Sequence, residues 1–187
     1  MFYWTGVGSR DITEDEGDIM FNMAYHLAAI GGLLRSGNAP GSDLTFEEGY
    51  WAAYKDRLCN RMPHIYIPWE GFRHGYFPHQ DRYISERNLS WEWSNAAQLI
   101  ADIHPAWQHL KRGARALHTR NAFQPLGATL SRPSKFLLAC SDMDKYGIPK
   151  GGTRTAWVLA QRYDIPCFNI RGHTQRQVEN FINSIIW

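Results

Sequence analysis

Cysteine is scarce in this chain of 187 residues: Cys59, Cys140 and Cys167 lie far apart, with no Cys-x-x-Cys spacing to suggest zinc or redox work. Cys140 and Cys167 fall inside apolar, strand-like runs, so buried free thiols in a reducing cytosol are expected. No apolar run approaches the roughly 18 residues of a membrane span. The N-terminus lacks a basic region followed by an apolar core. A cytoplasmic protein without a membrane partner is therefore expected. Charge of one sign is not in excess either. With 20 Lys and Arg against 18 Asp and Glu the net charge is +2, and no basic run exceeds Lys111-Arg112, so the footprint of a duplex-binding protein is missing. Histidine is plentiful, with His74, His79, His104, His109 and His118 crowded in the middle, but none forms a tight ligand spacing such as His-Glu-x-x-His. No metal site and no cofactor are expected. There is no internal repeat, and the length suits one domain spanning residues 1–187.

Three glycine-bearing segments sit where hydrophobic strands should end: Gly6-Val-Gly-Ser-Arg10, Ser36-Gly-Asn-Ala-Pro-Gly-Ser-Asp43 and Gly151-Gly-Thr-Arg-Thr155. Each precedes a stretch of helical periodicity, so each reads as a strand-to-helix turn whose free N–H groups and positive dipole end can hold a phosphate. Arg10 and Arg154 stand inside two of them. Together they point to a nucleotide-type small molecule.

The intervening sequence supplies the alternation. Phe2 to Val7 predicts a first strand ending at Gly8, and Thr13 with Glu16 has capping-box spacing ahead of a helix that closes at Gly31-Gly32. Leu33 to Ser36 predicts a second strand, Asp43 an N-cap, Leu44 to Tyr54 a second helix, and His64 to Pro68 a third strand. Residues 69–90 lack a period and form an irregular insertion, either a binding loop or a cover over the sheet edge. Helical pattern returns over Trp91 to Ile103 and again from Pro105 through Leu117. Phe136 to Cys140 and Pro166 to Ile170 predict strands four and five, with helices over Thr153 to Tyr163 and Thr174 to Ile186. The expectation is an α/β, Rossmann-like, doubly wound and mostly parallel five-stranded sheet in order 3-2-1-4-5, with helices on both faces.

Gly-Ser-Arg after the first strand, Ser-Gly-x-Ala-x-Gly-x-Asp-x-x-Phe-Glu-x-Gly after the second and Pro-x-Gly-Gly-Thr before a late helix resemble the SLOG superfamily of Rossmann-like proteins. That superfamily holds the Lonely Guy phosphoribohydrolases, the Rossmann core of DNA-processing protein A and nucleotide-sensing domains of bacterial defence systems. Within it the chain is most similar to short, phage-borne DNA recombination-mediator A-like proteins, whose His-Pro-x-Trp and Arg-Asn segments are echoed in His104-Pro-Ala-Trp107 and Arg120-Asn121. The resemblance implies a nucleotide-derived ligand such as ADP-ribose or a cyclic nucleotide, bound by a sensor or by a phage sponge that sequesters a host immune messenger. Phosphoribohydrolases carry Pro-Gly-Gly-x-Gly-Thr-x-x-Glu; here the run is Pro149-Lys-Gly-Gly-Thr-Arg-Thr-Ala-Trp-Val158, with Val158 at the glutamate position and Arg154 in place of a loop glycine. Valine cannot stabilise oxocarbenium-like charge or prepare a water, so no catalytic residue is assigned.

Gly8, Ser9 and Arg10 are expected to hold one phosphate, and Gly151, Gly152, Thr153 and Arg154 a second. Ser36, Gly37, Asp43 and Glu47 would lie near a ribose, although Asp43 serves equally as a plain helix cap and Glu47 as a salt-bridge partner. Trp69 would stack on a base, and His118, Arg120 and Asn121 would face the crevice at the end of a helix. Two other readings stay open. One is a hydrolase of Lonely Guy type using a carboxylate from another loop, such as Glu47, Asp142 or Asp144; the other is a mediator on single-stranded DNA, for which a homo-oligomer, expected in any case, could assemble a basic groove.

Overall fold

The computed structural model describes residues 1–73 and 83–187. Its centre is a five-stranded, all-parallel sheet in the order β3-β2-β1-β4-β5, the order expected from the sequence. The strands are β1 (Phe2–Gly8), β2 (Gly32–Ser36), β3 (His64–Ile65), β4 (Leu137–Cys140) and β5 (Cys167–Asn169). β1 lies in the middle, with Trp4 opposite Leu34 of β2 and Val7 opposite Ala139 of β4. Strand order therefore reverses between β1 and β4, which opens a crevice at their carboxyl ends.

Helices cover both faces. α1 (Glu14–Ala29), α2 (Ser42–Lys55) and α6 (Gln175–Ile186) pack on one side around Trp4, Phe46, Tyr50 and Phe136. α3 (Ser90–Ala101), α4 (Arg112–Leu126) and α5 (Thr153–Arg162) pack on the other around Val7, Tyr66, Phe123 and Leu159. The predicted capping box of α1 is present: Glu16 N–H donates to Thr13 Oγ1 at 3.2 Å and Thr13 N–H to Glu16 Oε2 at 3.0 Å. Cys59, Cys140 and Cys167 are free, and only Cys140 is fully buried. Among the described residues no helix is long and apolar enough to cross a membrane.

Three local expectations give way. Asp43 is not the cap of α2; Gly41 is, with φ +74° and no side-chain cap bond. A Cβ at Gly41 would stand 2.4 Å from the Arg10 carbonyl oxygen and 2.5 Å from that of Ser9, so the chain turns where only glycine fits and the helix starts earlier. The helix expected from Pro105 is divided into a 3₁₀ turn at Trp107–His109 and α4, because the backbone extends at Leu110 and Lys111. Arg120 and Asn121 consequently lie well inside α4 rather than at its end. Finally, β3 is cut to two residues, and Ile84 takes up the edge beyond it: Ile84 N–H donates to Ile65 O at 2.8 Å and Ile67 N–H to Ile84 O at 2.9 Å. This return covers the sheet edge; residues 74–82 of the insertion, with His74 and His79, lie outside the described residues.

Candidate functional site

At the carboxyl ends of β1 and β4 lies a cleft of about 470 Å³, within the range of small-molecule sites. One wall is the β1–α1 turn, Gly8 to Asp11, and the facing wall is Lys150 to Thr153 at the start of α5, with Ser141 and Asp142 between them. Ala39 and Asp43 close one end, and α4 supplies Leu117, His118, Arg120, Asn121 and Gln124. Of the expected residues, the cleft gathers Gly8, Ser9, Arg10, Asp43, Arg120, Asn121, Gly151, Gly152 and Thr153.

The first two glycine loops are stitched together from below. Ser42 donates its N–H and its hydroxyl to Ser9 O, both at 3.0 Å, which holds the start of α2 against the β1–α1 turn. Ser9 N–H donates to Cys140 O at 2.7 Å, tying the same turn to β4. A Cβ at Gly8 would lie 2.5 Å from Cys140 O, so the close approach of β1, β4 and α2 requires the glycine. Arg120 is committed to this scaffold. Its Nη1 donates to Gly37 O at 2.6 Å and stands 3.5 Å from Asp43 Oδ2, with both side chains buried. Burial pushes the Asp43 carboxyl up and the Arg120 guanidinium down, and their mutual attraction opposes both shifts. Asn121 does the same for the third loop, donating from Nδ2 to Gly152 O at 3.0 Å and Thr155 Oγ1 at 2.8 Å.

Five expected residues, Ser36, Gly37, Glu47, Trp69 and Arg154, sit apart from the cleft. Ser36 spends its hydroxyl on Gly6 O at 2.7 Å. Glu47 is buried behind α2, where Tyr83 and Trp51 both donate to its Oε1. Arg154 turns away to Asp144 at 3.0 Å, so it does not crowd the third loop. Trp69 packs edge-on against Phe72 beside a separate depression shared with Arg87 and Trp93. Gly37 lies under the Arg120 guanidinium, where a Cβ would be 1.3 Å from Nη1. Val158 does not line the cleft, and of the alternative carboxylates only Asp142 does.

Two further cleft residues carry chemistry: Lys150, to which the sequence assigned nothing, and His118, which was expected to face the crevice beside Arg120 and Asn121. Lys150 projects from the third loop, and like Arg10 it makes no ion pair among the described residues. His118 holds Nδ1 3.3 Å from Thr155 Oγ1 and meets His104 edge-on at 4.4 Å between ring centroids. Burial, aided by His104 and Arg120, lowers its pKa to about 4, so the imidazole is neutral at pH 7. A lysine next to Gly151 was a discoverable signal; the pairing of His118 with Thr155, 37 positions away, was not.

No family model matches the sequence, and no curated protein matches it. Among solved structures, DNA processing protein A from Helicobacter pylori, described for its single-stranded DNA binding mode, matches with a TM-score of 0.60. The match covers 99% of this chain and 80% of that one at 17% identity. The chain has the Rossmann-type fold of DNA processing protein A. At that identity the likeness speaks for architecture alone.

Proposed function

We propose that this protein binds a nucleotide-derived ligand of the ADP-ribose or cyclic-nucleotide type by its phosphates and returns it intact, as a sensor or as a sponge that sequesters such a messenger. The observation that carries this reading is the pair of unengaged cations, Arg10 and Lys150, on facing glycine loops at the switch point of the sheet. Backbone N–H groups at the start of α5 add a favourable end for an anion. Hydrolysis is disfavoured because the carboxylates named for it are committed: Glu47 accepts from Tyr83 and Trp51 away from the cleft, Asp142 is held by Arg171 at 2.7 Å and Asp144 by Arg154, which leaves Asp11 as the cleft carboxylate without an ion pair among the described residues.

A second reading, binding of single-stranded DNA, draws on the likeness to DNA processing protein A, since the same cations suit a phosphodiester backbone. Incubation of the protein with ADP-ribose, AMP or a cyclic dinucleotide, followed by denaturation and chromatography, tests the first reading. Saturable binding with intact ligand returned supports it; released base or sugar points to the hydrolase. Displacement of the nucleotide by a short oligodeoxynucleotide but not by inorganic phosphate would favour the second reading.

A further inference from the structure

Arg171, in the turn between β5 and α6, lies outside the cleft yet binds the segments on both sides of it. Its Nε donates to Glu16 Oε1 at 2.8 Å and its Nη2 to Glu16 Oε2 at 3.2 Å, at the start of α1. Nη2 also donates to the carbonyl of Asp11, in the β1–α1 turn. Nη1 donates to Asp142 Oδ1 at 2.7 Å, in the segment after β4. The guanidinium draws the Glu16 carboxyl below the usual carboxylate range, while Glu16 and Asp142 hold Arg171 above its own.

Asp142 is the awkward member of an anion site, because its side chain is 66% exposed and lines the cleft into which a phosphate would come. On the lining itself Arg10, Arg120 and Lys150 balance Asp11, Asp43 and Asp142, with His118 neutral, and Arg171 stands just outside it, shared between Asp142 and Glu16. Remove Arg171 and Asp142 faces the cleft without its cation, which makes the surroundings more negative by one charge. From this arithmetic we infer that Arg171 is a positioning residue that masks the Asp142 carboxylate and so keeps the cleft attractive to anions. The inference rests on the nucleotide reading for its biological meaning, but the electrostatic claim can be measured without any nucleotide.

Gly152 provides the probe position: it lines the cleft, has φ −65°, and a Cβ there would meet nothing within 4 Å. A Gly152→Cys protein is treated with a negatively charged and with a neutral methanethiosulfonate reagent, and the parent protein corrects for Cys59, Cys140 and Cys167. The ratio of the two rates reports the local potential. Arg171→Met in this background should lower the ratio about three- to tenfold at low salt, the effect of one uncompensated charge in partly screened surroundings. Adding Asp142→Asn should restore it, and Arg171→Lys, which keeps the charge if the methionine variant folds poorly, should leave most of it intact. An unchanged ratio in Arg171→Met, or a loss that Asp142→Asn does not reverse, overturns the inference and leaves Arg171 as a brace. The same variants, without the probe cysteine, are then titrated with ADP-ribose. If the thiol ratios behave as stated and the wild-type protein does not bind ADP-ribose, the mask stands and the ligand class falls.

Discussion

Glu47 offers the sharpest consequence of the packing. It is fully buried on α2, its Oε1 accepts from Trp51 Nε1 at 3.1 Å and from the Tyr83 hydroxyl, and its Oε2 has no hydrogen-bond partner among the described residues. Burial raises its pKa from 4.5 to about 7, and the nearby Asp43 and Glu48 carboxylates add to the shift against the opposing bonds from Tyr83 and Trp51. An acid whose folded pKa lies above its unfolded value contributes its stability below the unfolded pKa and loses it as pH rises through the folded one. At about 1.4 kcal/mol per pH unit, the interval from 4.5 to about 7 is worth about 3 kcal/mol of stability lost between pH 4.5 and 8. Glu47→Gln keeps an oxygen to accept both bonds and removes the ionisation. Its unpartnered amide nitrogen costs about 1 kcal/mol at every pH, so the informative quantity is the change with pH. Urea unfolding of both proteins at pH 5 and pH 8 should show the variant gaining about 2–3 kcal/mol on the wild type across that interval. Parallel stability curves would refute the reasoning and mean that Glu47 ionises at its ordinary value.

The remaining expectations concern the cleft. Arg10→Ala should weaken binding of ADP-ribose by about 1.5–3 kcal/mol, the range for a charge-assisted hydrogen bond, with an unchanged melting temperature. Asn121→Ala should cost about 1–2 kcal/mol in urea unfolding and speed amide exchange at residues 150–153, because it frees Gly152 and Thr155 from α4. His118 has its pKa lowered from 6.5 to about 4, so its contribution is present above pH 6.5 and is lost as pH falls toward 4. His118→Asn should flatten that acid limb by up to about 3 kcal/mol, measured as the difference in unfolding free energy between pH 7 and pH 4.

The strand order was legible because each apolar run of the chain is separated from the next by helical periodicity, and parallel connections of one hand leave few arrangements. The loop Gly8 to Arg10 was legible for the same reason, since glycine at a strand end announces a turn; Gly151 and Gly152 do open α5, but residues 141–150 separate them from the end of β4, where the sequence had put a strand end. Partnerships across the sequence were not. Arg120 reads as a ligand arginine until α4 brings it to Gly37, 83 positions away, and nothing local to Arg171 announces Glu16, 155 positions away, as its partner. Asp43 and Glu47 share a helix face, yet only Asp43 borders the cleft, because Trp51 and Tyr83 enclose Glu47 behind it. Trp69 was placed near the ligand by its position after a strand, but it packs against Phe72 and lines a separate depression with Arg87 and Trp93.

A ligand bound by its phosphates as proposed must touch both outer glycine loops at once. Titration of isotope-labelled protein with ADP-ribose, followed through backbone amide resonances, tests this directly. Gly8, Ser9 and Arg10 should shift together with Gly151, Gly152 and Thr153, saturating in a single binding event that Arg10→Ala weakens. Shifts confined to the depression beside Trp69, or no shifts with ADP-ribose, AMP or a cyclic dinucleotide, would contradict it.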